Sequence, residues 1–233
     1  MRLHRFYIEQ SLGEDIVTDN KKLLHQWFSV FRYKNNNEVI LFSGDGYDYT
    51  YRIANSDKKE ANLSFVSRRS NILPSKNIKL YISIIKNSNF EDIVKSCTEI
   101  GINLIIPIVT ERSEKKNINK ERLETITTEA SEQCGRGNLP IINEVISFKE
   151  AINLLKKEDI NIAGSLNGEN FSSESKKWLN DKEISLFVGP EGGWTPSEEE
   201  SLKEKEVTFV KLTETTLRAE TAAPLLCGLI MIV

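Results

Sequence analysis

The chain has 233 residues, of which 39% are hydrophobic and 28% charged, and its formal net charge is −3. This length suits two small domains or one large one, and the composition is that of a globular protein rather than a disordered chain. The weak negative charge excludes a generally basic surface, so a nucleic-acid ligand would need a local basic patch.

Cysteine and histidine are too sparse for a metal centre or a disulfide framework. The cysteines are far apart, form no Cys-x-x-Cys pair, and stand at Cys97, Cys134 and Cys227. The two histidines, His4 and His25, are also scattered, so we predict no metal site and no histidine-based hydrolase triad. No signal-peptide core is visible, and the apolar stretch 225–233 is too short to span a membrane. We therefore expect a cytoplasmic protein with no membrane partner.

The first 70 residues have the pattern of short β-strands. Val39–Phe42 is an apolar run, and residues 43–46 are turn formers. The tyrosines at 47, 49 and 51 then alternate with polar residues, which is typical of a half-buried strand in a hairpin. Leu63 and Phe65 continue the pattern, so we predict a small β-barrel. The tyrosine row favours a role in the barrel core, with stacking on RNA bases as the alternative.

From about residue 77 onward strands alternate with helices, which predicts a mostly parallel sheet covered on both faces. The domain boundary is expected near residues 70–76. Thr195 is a predicted helix N-cap, followed by proline at the first helical position and by Glu198 as the reciprocal cap. The predicted strands are Ile78–Ile85, Leu104–Val109, Ile160–Ala163, Ile184–Val188 and Val207–Leu212, and the predicted helices cover Phe90–Cys97, Asn119–Cys134, Ala151–Lys157 and the residues from Ala219.

A glycine-rich loop, Gly189-Pro190-Glu191-Gly192-Gly193, directly follows the strand Ile184–Val188. Ligands of α/β sheets bind beyond the carboxyl ends of strands, and glycine lets the backbone approach a ligand closely. The loop is not a Gly-x-Gly-x-x-Gly motif and lacks the Lys-Ser/Thr of a phosphate-binding loop, which disfavours a nucleoside triphosphate. The alternative is a tight turn that leads into the helix capped by Thr195.

Two further segments place charges at the junctions of elements. Residues 212–223 follow a predicted strand and enter an apolar helix, with Arg218 and Glu220 at the junction. These two residues indicate either chemistry or a structural ion pair. Residues 132–137 place Arg136 in a glycine turn after a helix, where it would grip a phosphate or base edge, or satisfy the last carbonyls of the helix.

The three segments together resemble one family. Gly-Pro-Glu-Gly-Gly at 189–193, Leu-Arg-Ala-Glu-Thr-Ala at 217–222 and Glu-Gln-Cys-Gly-Arg at 132–136 occur in that family's order, along with Glu-Arg-Ser at 111–113. The chain resembles the RsmE family, the methyltransferases that act on N3 of a uridine in small-subunit (16S) ribosomal RNA. These enzymes belong to the knotted SPOUT superfamily, and the resemblance spans nearly the whole chain.

The resemblance implies an α/β fold in which a PUA-like, RNA-binding β-barrel at 1–72 precedes a SPOUT methyltransferase domain with a trefoil knot at 73–233. It implies S-adenosyl-L-methionine as cofactor, small-subunit ribosomal RNA or the assembled small subunit as partner, and a homodimer. The cofactor-binding residues would be Leu186, Val188, Gly189, Pro190, Glu191, Gly192, Leu212, Thr216, Leu217, Arg218 and Ala222. The catalytic candidates are Arg136, Arg218, Glu191 and Glu220, and the RNA-binding candidates are Arg2, Arg5, Arg32, Arg68 and Arg69.

In this interpretation a carboxylate, Glu191 or Glu220, takes the proton from the uracil imide, and Arg136 or Arg218 stabilises charge on the uracil oxygens. The sequence departs from the family pattern at Thr213–Thr215, inside the expected cofactor loop. Three alternatives stay open: a SPOUT methyltransferase for another base or a ribose, a non-catalytic RNA-binding ribosome assembly factor, and a small-molecule binding module without an RNA role.

Overall fold

The computed structural model describes residues 3–57, 59–113, 115–174 and 183–232. These residues divide into two compact units. The first contains residues up to Leu73 together with Ser131–Leu139, and the second contains Pro74–Ala130 and the residues from Pro140 onward. The predicted boundary between residues 72 and 73 lies one residue from the first break. The segment Ser131–Leu139 was predicted with the methyltransferase domain but groups with the first unit.

The first unit contains a five-stranded sheet with the strand order β1-β3-β4-β5-β2. Strands β1 and β3 are parallel, and the other neighbours are antiparallel. A short helix α1 continues into a π helix, His25–Val30. The elements are β1 (Arg5–Tyr7), β2 (Ile16–Thr18), α1 (Lys21–Leu24), β3 (Glu38–Phe42), β4 (Tyr47–Ser56) and β5 (Ala61–Ser70).

The core of the first unit packs around Trp27, Leu41 and Tyr51, all inaccessible to solvent. The predicted hairpin is confirmed as β3 and β4, which pair antiparallel, and Leu63 and Phe65 continue the sheet in β5, the antiparallel neighbour of β4. Tyr49 and Tyr51 are buried while Tyr47 is half-buried, so the tyrosine row belongs mainly to the core. Their rings pack against Phe65 rather than standing free to stack on RNA bases.

The second unit is built on a parallel sheet with the order β12-β10-β11-β6-β7-β8, in which β9 also pairs with β7. The predicted parallel sheet is thus confirmed, and Leu104–Val109 and Ile184–Val188 have the predicted bounds. The strands are β6 (Ile78–Ser83), β7 (Leu104–Val109), β8 (Ile141–Ile142), β9 (Ile146–Ser147), β10 (Ile160–Asn170), β11 (Ile184–Val188) and β12 (Thr208–Lys211). The helices are α2 (Asn87–Ile100), α3 (Lys120–Cys134), α4 (Phe148–Asn153), α5 (Phe171–Glu174), α6 (Pro196–Glu204) and α7 (Ala219–Ile232).

Local capping explains where several helices begin and end. Thr195 accepts a hydrogen bond from the Glu198 backbone while the Glu198 side chain accepts from the Thr195 backbone, so the predicted capping box is present. Gly101 ends α2 with a φ of 116°, which glycine adopts without steric cost. Helix α4 starts at Phe148, earlier than predicted, because Ser147 and Glu150 form a second capping box.

The last helix packs near the middle of the sheet, although the strand that precedes it lies at the sheet edge. After β11 the chain passes through α6 to β12 at the sheet edge, beyond β10. It then returns to the middle of the sheet, where α7 packs against α2 and β11. Ala223, Leu226 and Ile230 of α7 are buried in the same core as Leu186 of β11. Among the described residues, no helix has both the length and the apolarity needed to cross a membrane.

Candidate active site

A cavity of about 260 Å³ lies at the carboxyl-terminal parts of three neighbouring strands of the second unit. Its walls come from residues 164–167 within β10, from Val188 at the end of β11 and the loop after it, and from the segment 212–217 after β12. Ala219, Ala222 and Leu226 of α7 complete the lining. Because β10, β11 and β12 are adjacent and parallel, their carboxyl ends meet at one edge of the sheet, which is where ligands of α/β folds bind.

Most of the predicted cofactor residues line this cavity. They are Val188, Gly189, Pro190, Glu191, Leu212, Thr216, Leu217 and Ala222. Three others are not among the lining residues, and their part in cofactor binding stays a prediction. Leu186 is wholly buried in the core, Gly192 packs outside the cavity against Arg112, and the Arg218 side chain is 82% exposed.

The glycine-rich loop is shaped by Trp194, whose ring lies against Gly189. A Cβ atom at Gly189 would stand 3.1 Å from the ring, closer than side chains normally pack. The Trp194 indole N–H donates a hydrogen bond of 3.3 Å to the carbonyl of Gly164, on the neighbouring wall. Gly193 has a φ of 68°, a conformation that favours glycine. The glycines at 189 and 193 therefore serve the local shape of the loop.

Arg112, between β7 and α3, holds the outer side of the same loop. Its guanidinium Nη1 donates to the carbonyls of Gly192 at 2.7 Å and Trp194 at 3.3 Å. The adjacent backbone N–H of Glu111 donates to the carboxylate of Glu198, at 2.9 Å. Two hydrogen bonds thus tie the loop 189–195 to the loop after β7, and a third ties helix α6 to it, although Arg112 does not line the cavity.

The wall formed by β10 is a bulge that was not predicted. Pairing between β10 and β12 is interrupted between Gly164 and Glu169, which both face Val210. A Cβ atom at Gly168 would lie 2.6 Å from the backbone of Phe209, so only glycine lets the bulge return to β12. The prediction ended this strand at Ala163. The rule that ligands bind at carboxyl ends would have directed attention to the residues that follow it.

The third wall contains the departure from the family pattern. Thr213 and Thr215 both line the cavity, and the Thr213 hydroxyl donates to the Thr215 carbonyl at 2.8 Å. The hydroxyl therefore closes this turn from within the chain, in the way that Ser and Thr stabilise tight turns.

Glu220, in the first turn of α7, is held by a residue that the sequence did not single out. The Asn89 side-chain amide on α2 donates to Oε1 of Glu220 at 3.2 Å, and an Arg218 nitrogen lies 3.8 Å from the same oxygen. The other oxygen, Oε2, is buried and has no hydrogen-bond partner among the described residues. Such an unsatisfied buried acceptor is uncommon in folded proteins and is often functional.

The charges around the cavity select among ligands. The lining includes the carboxylates of Glu191 and Glu199, and none of the described lining residues is a lysine or arginine. Val188, Val210 and Leu226 supply apolar surface. Such a site favours a ligand with an apolar portion and positive charge, and it disfavours phosphate groups.

The remaining catalytic candidate, Arg136, is not among the cavity-lining residues and belongs to the first unit. It is 5% exposed, and an Nη2 hydrogen bond of 3.2 Å joins it to the side chain of Asn138. Burial, which disfavours the charged form, lowers its pKa to about 10. The guanidinium is therefore still protonated at neutral pH.

The structure corrects the RNA-binding prediction for Arg5. Its guanidinium is buried, donates to both Asp48 carboxylate oxygens at 2.7 and 3.1 Å, and also bonds the carbonyls of Ser131 and Arg136. These bonds join the segment Ser131–Leu139 to the first unit. Because all its donors face protein groups, Arg5 is a structural residue rather than an exposed contact for a phosphate.

The other RNA-binding candidates differ in their surroundings. Arg32 is exposed, Arg68 lies over the ring of Tyr47 at 4.8 Å, and Arg69 is 70% exposed while paired with Asp48 at 3.3 Å. Arg2 lies outside the described residues.

Comparison with known proteins agrees with this architecture. Residues 73–231 match the family model for an RNA methyltransferase domain, and residues 28–66 match that for an RNA methyltransferase PUA domain. The SPOUT-type α/β fold with a preceding PUA-like domain is thereby confirmed.

Named relatives cover nearly the whole chain. The chain is 30% identical over 98% of its length to the Ribosomal RNA small subunit methyltransferase E of Aquifex aeolicus, covering 99% of that protein. It is 29% identical over 96% of its length to the Rickettsia conorii protein of the same name, covering 93% of it.

A solved structure is also similar. It is a Ribosomal RNA small subunit methyltransferase E from Neisseria gonorrhoeae bound to S-adenosyl methionine. The TM-score is 0.88 with 25% sequence identity, over 97% of this chain and 96% of the other. Together with the family-model matches and the full-length relatives, this likeness places the chain in the Ribosomal RNA small subunit methyltransferase E family.

Proposed function

We propose that this protein transfers a methyl group from S-adenosyl-L-methionine to N3 of a uridine in the 16S RNA of the small ribosomal subunit. The observation that carries the proposal is that residues from the segments 188–194 and 212–217 line the same cavity, in a chain of this family. The names of the relatives support ribosomal RNA as substrate, and the Neisseria structure supports the cofactor.

The cavity fits the chemistry of this cofactor. S-adenosyl-L-methionine combines an apolar adenine with a positive sulfonium and a positive amino group. The lining offers apolar side chains such as Val188 and Leu226 together with the carboxylates of Glu191 and Glu199. When bound, the cofactor supplies an electrophilic methyl group. The role of residues 188–192 and 212–217 is to hold it in a fixed orientation, since methyl transfer depends chiefly on alignment.

We favour Glu220 as the general base, although it is not among the cavity-lining residues. N3 of uridine must lose its proton to become nucleophilic, and a carboxylate can accept it. Asn89 binds one oxygen of Glu220, and the other, Oε2, has no hydrogen-bond partner among the residues that the structure describes. Glu191, by contrast, is exposed in a glycine loop, where it suits electrostatic attraction of the cofactor better than proton transfer.

Arg218 and Arg136 are the candidates for stabilising the negative charge that develops on the uracil. Arg218 is exposed beside Glu220, where its charge would stabilise negative charge that develops on a uracil oxygen. We retain Arg136 as a second candidate for this task, and Arg32, Arg68 and Arg69 as RNA contacts of the PUA-like domain. We also retain the homodimer and the cytoplasmic location as proposals, which light scattering and cell fractionation would test.

The test is methylation of small ribosomal subunits from a strain that lacks the protein, with the product nucleoside identified by mass spectrometry. Glu220→Gln should reduce turnover by at least about a hundredfold, the usual contribution of a general base, and leave cofactor affinity unchanged. Glu144→Gln is the matched control, because Glu144 is 78% exposed, pairs with Lys120 and does not line the cavity.

Arg136→Ala and Arg218→Ala, tested separately, should each slow methyl transfer, and wild-type rates in both would remove these arginines from the mechanism. A product other than N3-methyluridine would point to another base or a ribose as target. Absence of cofactor binding in calorimetry would favour a non-catalytic assembly factor, a function for which the departure at Thr213–Thr215 is the motivation.

A further inference from the structure

One surface of the first unit has a charge unlike the rest of the chain. Residues 20–37 contain four basic residues and no acidic residue, in a protein whose net charge is −3. All four side chains are exposed, and none pairs with a carboxylate within the part of the chain that the structure describes. They are Lys21, Lys22, Arg32 and Lys34. Arg52 and Arg69 of the same unit pair with carboxylates, so their charges are partly neutralised.

The two residues that flank Arg32 in the chain, Phe31 and Tyr33, belong to a cluster of aromatic rings. The rings of Phe31 and Tyr33 stack with centroids 5.5 Å apart and planes 16° apart. The ring of His4 lies 4.3 Å from that of Phe31 and shares a hydrogen bond with the Tyr33 hydroxyl. The buried ring of Phe6 meets Phe31 edge-on at 5.8 Å and supports it from the core.

The local backbone explains why the rings come together. Phe31 is the C-cap of the π helix His25–Val30. Arg32 then adopts a φ of 54°, the left-handed conformation that commonly ends helices. Tyr33 is anchored by its backbone N–H, which donates to the carbonyl of Trp27 at 2.8 Å. Phe31 nevertheless stays 38% exposed, a considerable fraction for a phenylalanine.

We infer that residues 31–34, with His4, form a binding site for an unpaired RNA nucleotide, which we name the aromatic–basic site. A base would stack on the Phe31 and Tyr33 rings, and Arg32 and Lys34 would bind the adjoining phosphates. Aromatic rings flanked by unpaired cations are how proteins hold single-stranded RNA, because unstacked bases gain stacking energy and phosphates gain a counter-charge. A duplex does not offer a free base, so the site discriminates against it.

This inference rests on the proposed function, since it describes how the PUA-like domain would hold the RNA substrate. It also separates the cations at 32 and 34 from those at 68 and 69. Arg69 is already paired with Asp48, and Arg68 already covers Tyr47, so these two offer less to a phosphate. The aromatic–basic site is therefore expected to contribute more to RNA affinity than Arg68 and Arg69 of β5.

The test measures binding of the full chain to a short fluorescent single-stranded RNA and to the matching duplex by anisotropy, across a salt series. Phe31→Ala should weaken single-strand binding by about tenfold, the effect of losing one base stack. Phe65→Ala is the matched control, since Phe65 is 36% exposed in the same unit but has no unpaired cation beside it in the chain. Arg32→Gln and Lys34→Gln should each lower the salt slope by roughly 0.7, while Arg52→Gln should not.

A second readout reports stacking directly. A fluorescent adenine analogue in the oligonucleotide should lose emission on binding the wild-type chain and keep it with Phe31→Ala. Calorimetry with S-adenosyl-L-methionine should give the same affinity for all variants. If the charge variants, which leave the core intact, bind with wild-type affinity and salt slope, the aromatic–basic site is refuted. Preference for the duplex, or a larger loss in Arg68→Gln, would refute it as well.

These outcomes are distinguishable from failure of the proposed function. A chain that binds the cofactor and methylates the subunit but is insensitive to Phe31→Ala and Arg32→Gln would refute only the aromatic–basic site. A chain that neither binds the cofactor nor methylates would refute the proposed function, whatever its affinity for the oligonucleotide.

Discussion

Replacing Arg112 by alanine should weaken cofactor binding although the residue does not line the cavity. The side chain supplies two hydrogen bonds to the carbonyls of Gly192 and Trp194, and its carbon atoms pack against Gly192. Without them the loop 189–194 loses its outer support. The loop would then sample other conformations, and binding would have to bring it back to the one that lines the cavity.

The magnitude follows from these contacts. A hydrogen bond from a charged donor contributes about 1.5–3 kcal/mol when it is buried. Arg112 is exposed, so solvent screening reduces the combined effect to about 1–2 kcal/mol. Because about 1.4 kcal/mol corresponds to a tenfold change in an equilibrium constant, we expect the Kd for S-adenosyl-L-methionine to rise by about 5- to 30-fold.

Isothermal titration calorimetry on the full chain measures this change. Arg122→Ala is the control, since Arg122 is an exposed arginine of the same unit that pairs with Glu91 and does not touch the loop. Arg112→Lys should recover part of the affinity, because lysine keeps the charge and several N–H donors but its ammonium does not extend as far from the backbone as the Arg112 Nη1 that donates to both carbonyls. Equal Kd values for Arg112→Ala and Arg122→Ala would refute the argument that this arginine holds the loop.

Three further predictions concern stability and pH. Gly168→Ala should lower the free energy of unfolding by about 1–3 kcal/mol, because its Cβ atom would press on the β12 backbone. Gly228→Ala, which has open space around it in α7, should raise the free energy of unfolding of the isolated chain by about 0.5–1 kcal/mol. Thermal unfolding measures both changes. Thr195→Ala should lower the free energy of unfolding by about 0.5–2 kcal/mol through loss of the α6 cap, and an unchanged denaturation midpoint would contradict the capping role. The Lys79 ammonium lowers the pKa of Glu183, so this pair contributes stability above the ordinary carboxyl pKa of 4.5 and loses it as pH falls through the lowered value. Denaturant titrations between about pH 7 and pH 3 should therefore show a smaller loss of stability on acidification in Lys79→Met than in wild type, and equal losses would contradict the pairing.

Local patterning was sufficient for much of the second unit. Apolar β-branched runs predicted β7 and β11 with their observed bounds, and the cap at Thr195 lay at the predicted position. These features depend on residues within a few positions of one another, so a linear sequence displays them directly. The short strands β1, β2, β8 and β9, of two or three residues each, carry too little periodicity to be recognised before their partners are known.

In the candidate site, too, local sequence features were recognised and features that depend on distant contacts were missed. The loops 189–193 and 212–217 were identified because glycine and charge stand out at the ends of predicted strands. The bulge after Gly164 was missed although Gly164, Gly168 and Glu169 follow the predicted strand, because a bulge is defined by its pairing with β12 and not by its own residues. Asn89 was missed for a different reason: its relevance comes from Glu220, 131 positions further along the chain. A contact over that distance exists only after α2 and α7 have packed.

Arg5 shows that the sequence alone does not tell whether a charged side chain is exposed or buried. An arginine near the N-terminus of a domain expected to bind RNA reads as an exposed contact, yet its partner Asp48 and the carbonyl of Ser131 lie 43 and 126 positions away. The pattern of residues along the chain was enough to define strands, caps and the glycine loop, because each depends on neighbours in sequence. It was also enough for the family resemblance, because short motifs can be matched in order along the chain without knowledge of their contacts. Which charges are buried, which loops share one cavity and which aromatic rings meet beside unpaired cations followed only from tertiary packing, because burial and pairing depend on residues brought together from distant parts of the chain.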